Sequence, residues 1–271
     1  MRAARVIGVF DSGVGGLSVL HHIRRALPHD QLIYVADSGH VPYGDKSANY
    51  IEQRSHAIAR FLIAQGAEAI VIACNTATAA AVTSLRAEFG IPIVGMEPAV
   101  KPAVAATRSG VVGALATVGT LESSRFAALL ERYAGDVTIV TQGCPGLVEQ
   151  VERGDLTGDL SRELVARYTA PLLARGADTL VLGCTHYPFL APLIREVAGP
   201  DVVLVDTGEA VARQLLRRLQ ELPARAHQDR PAHFAAATRF YTSGDARLAT
   251  PIISMLHGGP AEVLPLPVEY A

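Results

Sequence analysis

Two stretches of the sequence nearly repeat each other: GAEAIVIACNT at residues 66–76 and GADTLVLGCTH at residues 176–186. Each begins with Gly-Ala and an acidic residue, continues as an apolar run of strand length, and reaches a cysteine where the run ends. Cys184 follows Cys74 by 110 residues (184 minus 74), which is about the length of one small domain. The pattern predicts one half-fold used twice, with a thiol at the carboxyl end of an equivalent strand in each half.

Apolar runs of strand length alternate with helical patterns along the rest of the chain. This alternation predicts an α/β fold built on parallel sheets. In such sheets ligands bind at the carboxyl ends of the strands, so we expect both cysteines to face one cleft. Besides the run before Cys184, the predicted strands cover residues 6–10, 32–36, 70–73, 91–95, 111–117, 137–141, 202–206 and 240–242. The predicted helices cover residues 17–23, 49–66, 78–89, 101–107, 120–133, 147–153, 161–175 and 207–222.

Three segments carry more specific expectations. Residues 120–123, with the sequence TLES, resemble a capping box that opens a helix through Tyr133. Residues 223–233 are polar and are predicted to form a surface loop. The last part of the chain contains Pro260, Pro265 and Pro267, and it is predicted to be irregular or edge structure.

Composition limits the class of protein. The chain has 271 residues, of which 49% are hydrophobic and 18% charged, and its mean hydropathy is +0.25; such a chain folds rather than staying disordered. No apolar run approaches the roughly 20 residues of a spanning helix, and the run after Arg5 is too short for a signal peptide, so we expect a cytoplasmic protein. A net charge of −2 gives no reason to expect a nucleic-acid or membrane partner.

The chain contains three cysteines, at positions 74, 144 and 184. An odd and sparse set favours thiol chemistry or burial over a disulfide framework. Cys144 lies in a Gly-Cys-Pro turn outside the repeat, and we interpret it as structural. A zinc site formed by the cysteines and His186 is an alternative, but the paired Cys-x-x-Cys spacing is missing. The glycine-rich residues 13–16 could cradle a phosphate, although they match neither nucleotide-binding fingerprint.

Five motifs taken together resemble the glutamate racemases, which belong to the cofactor-independent aspartate/glutamate racemase superfamily. The resemblance runs from about residue 6 to residue 244, and it implies two pseudo-symmetric α/β domains with the active site in the cleft between them. It assigns residues 1–97 and 207–271 to the first domain and 98–206 to the second. It also implies interconversion of L- and D-glutamate, which supplies D-glutamate for peptidoglycan, with neither cofactor nor metal. The motifs are DSGVGGL at 11–17, PYG at 42–44, CNTA at 74–77, CTH at 184–186 and DTGE at 206–209.

Racemisation requires removal of the weakly acidic Cα proton from one face and delivery of a proton to the other. Without a pyridoxal cofactor, the site itself must stabilise the carbanion, and two opposed bases are the direct solution. A thiolate accepts a proton and a thiol donates one, with an intrinsic pKa near 8.5. We therefore predict that Cys74 and Cys184 are the two bases, and the resemblance implies that they act on D- and L-glutamate respectively.

Neighbouring residues are expected to manage the protons of the two thiols. Asp11 is also a natural helix N-cap, and the resemblance implies that it assists Cys74. By the same resemblance His186 and Glu152 assist Cys184, with Glu149 as a competing candidate for the second position. Without the resemblance, both glutamates are read as a solvated helix face and His186 as an ordinary buried or surface residue.

The predicted substrate-binding residues include neither lysine nor arginine, so we expect helix N-termini and neutral donors to bind the carboxylates. For several of them helix capping or packing is the plain alternative. The set is Asp11, Ser12, Pro42, Tyr43, Gly44, Cys74, Asn75, Thr76, Cys184, Thr185 and His186.

Two other functions stay open at this point: an aspartate racemase of the same superfamily, and a protein that binds an amino acid without turning it over. The expected partner is a small amino-acid substrate. A homodimer and an interaction with DNA gyrase, which some glutamate racemases show, are left open.

Overall fold

A computed structural model describes residues 4–222 and 237–271 of the chain. The loop predicted at residues 223–233 therefore lies outside the described residues. The strands are β1 (Val6–Asp11), β2 (Gln31–Ala36), β3 (Ala69–Ile72), β4 (Ile93–Val94), β5 (Val111–Ala116), β6 (Thr138–Gly143), β7 (Thr179–Leu182), β8 (Val203–Val205), β9 (Thr238–Thr242) and β10 (Val263–Pro265).

Helices follow most of these strands, and two short 3-10 turns occur at Tyr43–Asp45 and Tyr187–Leu190. The α-helices are α1 (Leu17–Ala26), α2 (Ala48–Ala64), α3 (Asn75–Glu88), α4 (Val100–Ala106), α5 (Val118–Leu121), α6 (Ser124–Tyr133), α7 (Leu147–Glu152), α8 (Asp159–Ala174), α9 (Ala191–Ala198), α10 (Gly208–Gln220) and α11 (Ala246–His257).

The strands form two sheets, and every strand pairing is parallel. The first sheet has the order β10-β9-β2-β1-β3-β4 and the second the order β6-β5-β7-β8. The predicted α/β class with parallel sheets is confirmed. The limits of the two domains, at residues 97 and 206, stay a prediction.

The two sheets share a four-strand pattern. In the first, β1 lies between β2 and β3, and β4 follows β3; in the second, β5 lies between β6 and β7, and β8 follows β7. The registers agree, because Phe10 of β1 pairs with Ile72 of β3 while Leu115 of β5 pairs with Leu182 of β7. The sequence repeat thus places Cys74 and Cys184 two residues beyond equivalent strand ends.

Apolar side chains cover both faces of each sheet. One cluster packs α2 and α3 against the first sheet through residues such as Ile58, Leu62 and Val82. A larger cluster covers the opposite face of the first sheet and continues into the second, so the two units share one core. A third, smaller cluster packs α4 and α6 on the far face of the second sheet. The described residues contain no helix that combines the length and apolarity needed to span a bilayer.

Two local predictions need correction, and a third is confirmed. The capping box at residues 120–123 is wrong: Thr117 caps α5, and Ser123 caps a new helix, α6, by accepting the Phe126 N–H at 3.2 Å. The helix predicted from residue 78 begins earlier, at Asn75, because Cys74 itself is the N-cap residue. The prediction of irregular or edge structure at the chain end is confirmed, because β10 is the edge strand of the first sheet; the helix before it, α11, contains Pro251 and was not predicted.

Candidate active site

Cys74 lies where β3 ends and α3 begins. Its sulfur accepts the Ala77 N–H at 3.4 Å, as a serine oxygen does at a helix N-cap, and the Sγ lies 3.9 Å from Ser12 Oγ. The residue is 4% exposed. The thiol therefore stands at the positive end of a helix dipole, which stabilises negative charge.

Asp11 is the last residue of the neighbouring strand β1 and is fully buried. Its Oδ2 accepts the Gly16 N–H at 2.7 Å and the Thr185 hydroxyl at 3.3 Å. The expectation that Asp11 is the helix N-cap residue is wrong, because Gly16 holds that position in α1. Its carboxylate nevertheless binds the amide at the start of that helix. Its hydrogen bond with Thr185 links it to the second unit.

Cys184 belongs to a second group of interacting side chains. Its Sγ lies 3.6 Å from Nδ1 of His186, and Nε2 of the same imidazole lies 2.6 Å from Glu152 Oε1. Cys184 is followed by the 3-10 turn rather than directly by an α-helix. Glu152, and not its rival Glu149, is thus the glutamate bonded to the imidazole.

The glycine-rich loop after β1 touches this second group. The Val14 N–H donates to Glu152 Oε1 at 2.7 Å. A Cβ at Gly13 would collide with Glu152, and one at Gly15 would collide with His186. Glycine is needed here for close approach between the units, and the protein's own carboxylates accept amides of the loop, which argues against a phosphate cradle.

The two thiols line the same narrow cavity, whose volume of about 10 Å³ is roughly that needed for one water molecule. Every predicted substrate-binding residue except Asp11 lines it, and Asp11 lies directly behind, within 3.3 Å of Ser12 Oγ. Sequence reasoning missed four lining residues: Thr117, Thr120, Val148 and Gly183.

The correspondence between the two units identifies Thr117 as a candidate site residue. Because the registers of the two sheets agree, Asp11 and Ser12 of the first unit correspond to Ala116 and Thr117 of the second. Thr117 is therefore the counterpart of a residue already predicted to bind substrate. Ala116 stands at the position that corresponds to Asp11, so the second unit has no carboxylate there. The ionisable groups next to Cys184 are instead His186 and Glu152.

Hydroxyl groups join the two units across the cavity. Thr76 Oγ1 lies 3.0 Å from Thr117 Oγ1 and 3.1 Å from Thr120 Oγ1. Among the described residues, neither amide atom of the buried Asn75 side chain has a hydrogen-bond partner. An unpaired buried amide is costly, so its place in the cavity wall marks it as a group suited to a polar ligand.

Burial sets the protonation of the groups around Cys74. It raises the pKa of the Cys74 thiol well above its ordinary value, and the charge of Asp11 adds to the rise. Burial also raises the pKa of Asp11, although the charge of His186 opposes that change. The Cys74 sulfur consequently carries its proton at neutral pH.

His186 is affected in the opposite way from an ordinary buried histidine. Burial alone lowers the pKa of His186, but the hydrogen bonds to Cys184 and Glu152 outweigh that effect and raise the pKa well above its usual value. The imidazole is thus positively charged at neutral pH, between a thiol and a carboxylate.

Cys144 does not line the cavity. It is buried, its thiol donates to the Gln142 carbonyl at 3.3 Å, and burial raises its pKa to about 12. This geometry agrees with the interpretation of Cys144 as structural. Within residues 4–222 and 237–271, no group of three or more His, Cys, Asp or Glu side chains is arranged to hold a metal ion.

Comparison with known proteins decides the family. A family model described as Asp/Glu/Hydantoin racemase matches residues 7–215. The chain belongs to this racemase family. It is accordingly an isomerase, and its resemblance to the glutamate racemases is confirmed.

Relatives and solved structures of this racemase family match over nearly the whole chain. A glutamate racemase from Methylococcus capsulatus is 58% identical over 265 residues, which cover 98% of this chain and 96% of the relative. A glutamate racemase from Pseudomonas aeruginosa is 55% identical over 258 residues, covering 95% and 96%. The structure of Escherichia coli glutamate racemase in complex with L-glutamate and the activator UDP-MurNAc-Ala has a TM-score of 0.85 at 34% identity, covering 97% of each chain.

Proposed function

We propose that this racemase interconverts L- and D-glutamate, with Cys74 and Cys184 as opposed acid/base groups. The observation that carries the proposal is the placement of both thiols on one cavity at equivalent strand ends. Each thiol has its own ionisable partner, Asp11 for Cys74 and His186 for Cys184. Two different partner sets suit two thiols that must be in opposite protonation states at any moment.

From L-glutamate, the reaction begins with the thiolate of Cys184. The Cα–H bond breaks, an S–H bond forms on Cys184, and the electron pair stays on the substrate as a planar carbanion conjugated with the α-carboxylate. The S–H bond of Cys74 then breaks as its proton moves to the opposite face of Cα. D-glutamate reacts by the reverse sequence, and each turnover exchanges the protonation states of the two sulfurs.

The ionisable partners give the two sulfurs different electrostatic surroundings. The charged imidazole 3.6 Å from Cys184 Sγ offers a positive neighbour to a thiolate. Burial and the nearby Asp11 carboxylate hold the proton on Cys74. For L-glutamate, Cys74 is thereby placed to act as the acid and Cys184, beside a positive charge, to act as the base.

Neutral donors are proposed to stabilise the substrate carboxylates as negative charge develops. The unpaired amide of Asn75 and the hydroxyls of Thr76 and Thr117 line the cavity, and the N-terminal turn of α3 points at it from Cys74. Preorganised donors of this kind supply much of the stabilisation that a cofactor would otherwise give. Asp11 lies behind Ser12 in the cavity wall, where its negative charge attracts the substrate ammonium without direct contact.

The relatives support glutamate as the substrate. A Francisella tularensis glutamate racemase, solved in complex with D-glutamate, has a TM-score of 0.82 at 27% identity and covers 98% of each chain. A Picrophilus torridus aspartate racemase, at 18% identity and a TM-score of 0.54, is similar in fold alone.

The deciding experiment is circular dichroism of L- and D-glutamate incubated with protein treated with a chelator and dialysed. We expect the circular dichroism signal of both glutamate enantiomers to decay to zero, because both reach the same final mixture. L- and D-aspartate should lose their signal far more slowly. Aspartate turning over faster than glutamate would reassign the substrate. Glutamate binding by calorimetry without any optical change would favour the non-catalytic alternative.

The wider role follows from the reaction. We propose that the enzyme supplies D-glutamate for peptidoglycan in the cytoplasm, where reducing conditions preserve free thiols. We also propose the domain limits at residues 97 and 206, because the second sheet draws its strands from residues 111–205 and the first from the flanking parts. The homodimer stays a prediction that light scattering tests.

A further inference from the structure

A buried carboxylate outside the predicted site points to a further feature of the binding cleft. Asp37 follows β2 and is fully buried. It accepts a hydrogen bond of 2.5 Å from the Tyr43 hydroxyl, and two from the Arg54 guanidinium, at 3.1 Å from Nε and 2.8 Å from Nη2. The bidentate arrangement matches a planar carboxylate with a planar guanidinium. None of the expected catalytic functions uses this pair.

Arg54 connects the carboxylate to a distant part of the chain. It lies on α2 with its side chain 11% exposed, and Nη2 also donates to the Tyr270 carbonyl at 2.9 Å. The Tyr270 ring packs against Phe61 of the same helix, with ring centroids 5.5 Å apart. The hydrogen bonds thus form one continuous chain from Tyr270 through Arg54 and Asp37 to Tyr43.

The far end of this chain is the cavity wall, where Tyr43 and its neighbours Pro42 and Gly44 lie. Burial and the Asp37 charge raise the pKa of Tyr43 well above its ordinary value, so the phenol keeps its proton and donates a hydrogen bond to Asp37. The hydroxyl is bonded to Asp37, so Tyr43 contributes its ring to the cavity wall, followed by the backbone of Gly44.

The turn held by Tyr43 contacts the other unit very closely. A Cβ placed on Gly44 would lie 3.0 Å from the Thr117 Cβ, and one placed on Gly119 would lie 3.0 Å from the Gly44 carbonyl oxygen. The 3-10 turn at Tyr43–Asp45 therefore closes the cavity against α5. A displacement of a few tenths of an ångström in Tyr43 would change this contact.

We propose that Asp37 and Arg54 are positioning residues for the substrate, because they fix Tyr43 and hence the Gly44 turn against Thr117. Neither residue touches the reacting atoms. The inference rests on the proposed glutamate racemisation, since it assigns these residues to binding at that same site.

The test is steady-state racemisation of glutamate by Arg54→Lys and Arg54→Ala. If Arg54 acts on binding, KM should rise about tenfold in Arg54→Ala, as expected for loss of about 1.4 kcal/mol, with a smaller rise in Arg54→Lys. The value of kcat should stay within about threefold of wild type, because the thiols are untouched. The matched control is Arg60→Ala, since Arg60 lies on the same helix and pairs with Glu88 at the surface.

A double-mutant cycle separates positioning from a general loss of stability. If Arg54 acts through Tyr43, then Tyr43→Phe combined with Arg54→Ala should raise KM little more than the larger single effect. Should Arg54→Ala fail to fold, Arg54→Lys carries the cycle. The inference would be overturned if the KM effects of the two single variants multiply in the double variant. It would also be overturned if KM is unchanged in Arg54→Ala, or if Arg60→Ala raises KM equally. An inactive wild type would instead overturn the proposed function.

Discussion

Glu152 Oε1 lies 2.6 Å from Nε2 of His186 and, at the same time, 2.7 Å from the backbone nitrogen of Val14. The carboxylate belongs to the second unit and Val14 to the loop after the first strand of the first unit. The partner of Cys184 is therefore held by a contact that exists only when the two units meet. The same carboxylate therefore links the two units and favours the charged imidazole.

Replacing Glu152 by Gln tests this link. The amide oxygen can still accept from Val14, but the charge that holds His186 protonated is lost. We expect kcat/KM to fall about 100-fold, within the usual range for a general acid/base contribution. The fall must be equal from both enantiomers, because L- and D-glutamate have the same free energy in solution. Glu149→Gln is the matched control and should stay near wild type; an equal loss there would make Glu149 the partner instead.

The cysteine variants test the two-base mechanism itself. Cys74→Ala and Cys184→Ala should each lose at least about 1000-fold in kcat/KM, since each removes the proton carrier on one face. Cys144→Ala, at a buried thiol outside the cavity, should racemise within about threefold of wild type. Circular dichroism of both glutamate enantiomers provides the measurement. Full activity in either of the first two variants would remove that cysteine from the mechanism.

Stability should depend on pH through His186. Its pKa in the folded protein lies well above the value of about 6.5 expected in the unfolded chain. The native state binds the extra proton between these two pKa values, so this contribution to stability is fully present below pH about 6.5 and is lost as pH rises through the folded pKa.

Urea unfolding of wild type and His186→Asn from pH 6 to pH 9.5 measures this contribution. The difference in unfolding free energy between the two proteins should be largest at pH 6 and shrink as the pH rises. A difference that grows with pH would contradict the assignment of a charged imidazole. Unfolding followed by far-UV circular dichroism suits this chain, which contains no tryptophan.

Much of the fold was predictable because the apolar runs are short, strongly patterned and separated by glycine or capping residues. The repeat predicted the most important geometric fact, that Cys74 and Cys184 share a cavity, since parallel strands place their carboxyl ends at one edge. Two helices differ from the sequence analysis. The helix predicted from residue 78 begins at Asn75, because the Cys74 sulfur caps it directly, and α11, which contains Pro251, was not predicted.

The remaining site residues depend on long-range contacts that no local pattern displays. Thr120 reaches the cavity only because α5 packs across the cleft. Asp37 and Arg54 are 17 residues apart, and nothing in that spacing predicts a pair. Thr117 is the exception, because aligning the first strand of each unit places it at the position equivalent to Ser12.

The close approach of Gly15 to the imidazole gives the sharpest steric test of how His186 is held. A methyl group at Gly15 would overlap the ring, and the ring is fixed on both sides, by Cys184 and by Glu152. We expect Gly15→Ala to lower kcat/KM about 100-fold, the cost of a displacement near 1 Å in a catalytic group. Because the ring must shift away from Glu152, the pH dependence of stability described for His186 should weaken as well.

Gly90→Ala is the matched control, since a Cβ at Gly90 has no neighbour within 4 Å. Both variants add the same methyl group to the chain, so any effect of glycine on the unfolded state is shared between them. The measurements are glutamate racemisation and urea unfolding of the two variants at pH 6 and pH 9.5. Gly15→Ala with wild-type activity would mean that His186 can move without loss of function, and the imidazole would then have no fixed role beside Cys184.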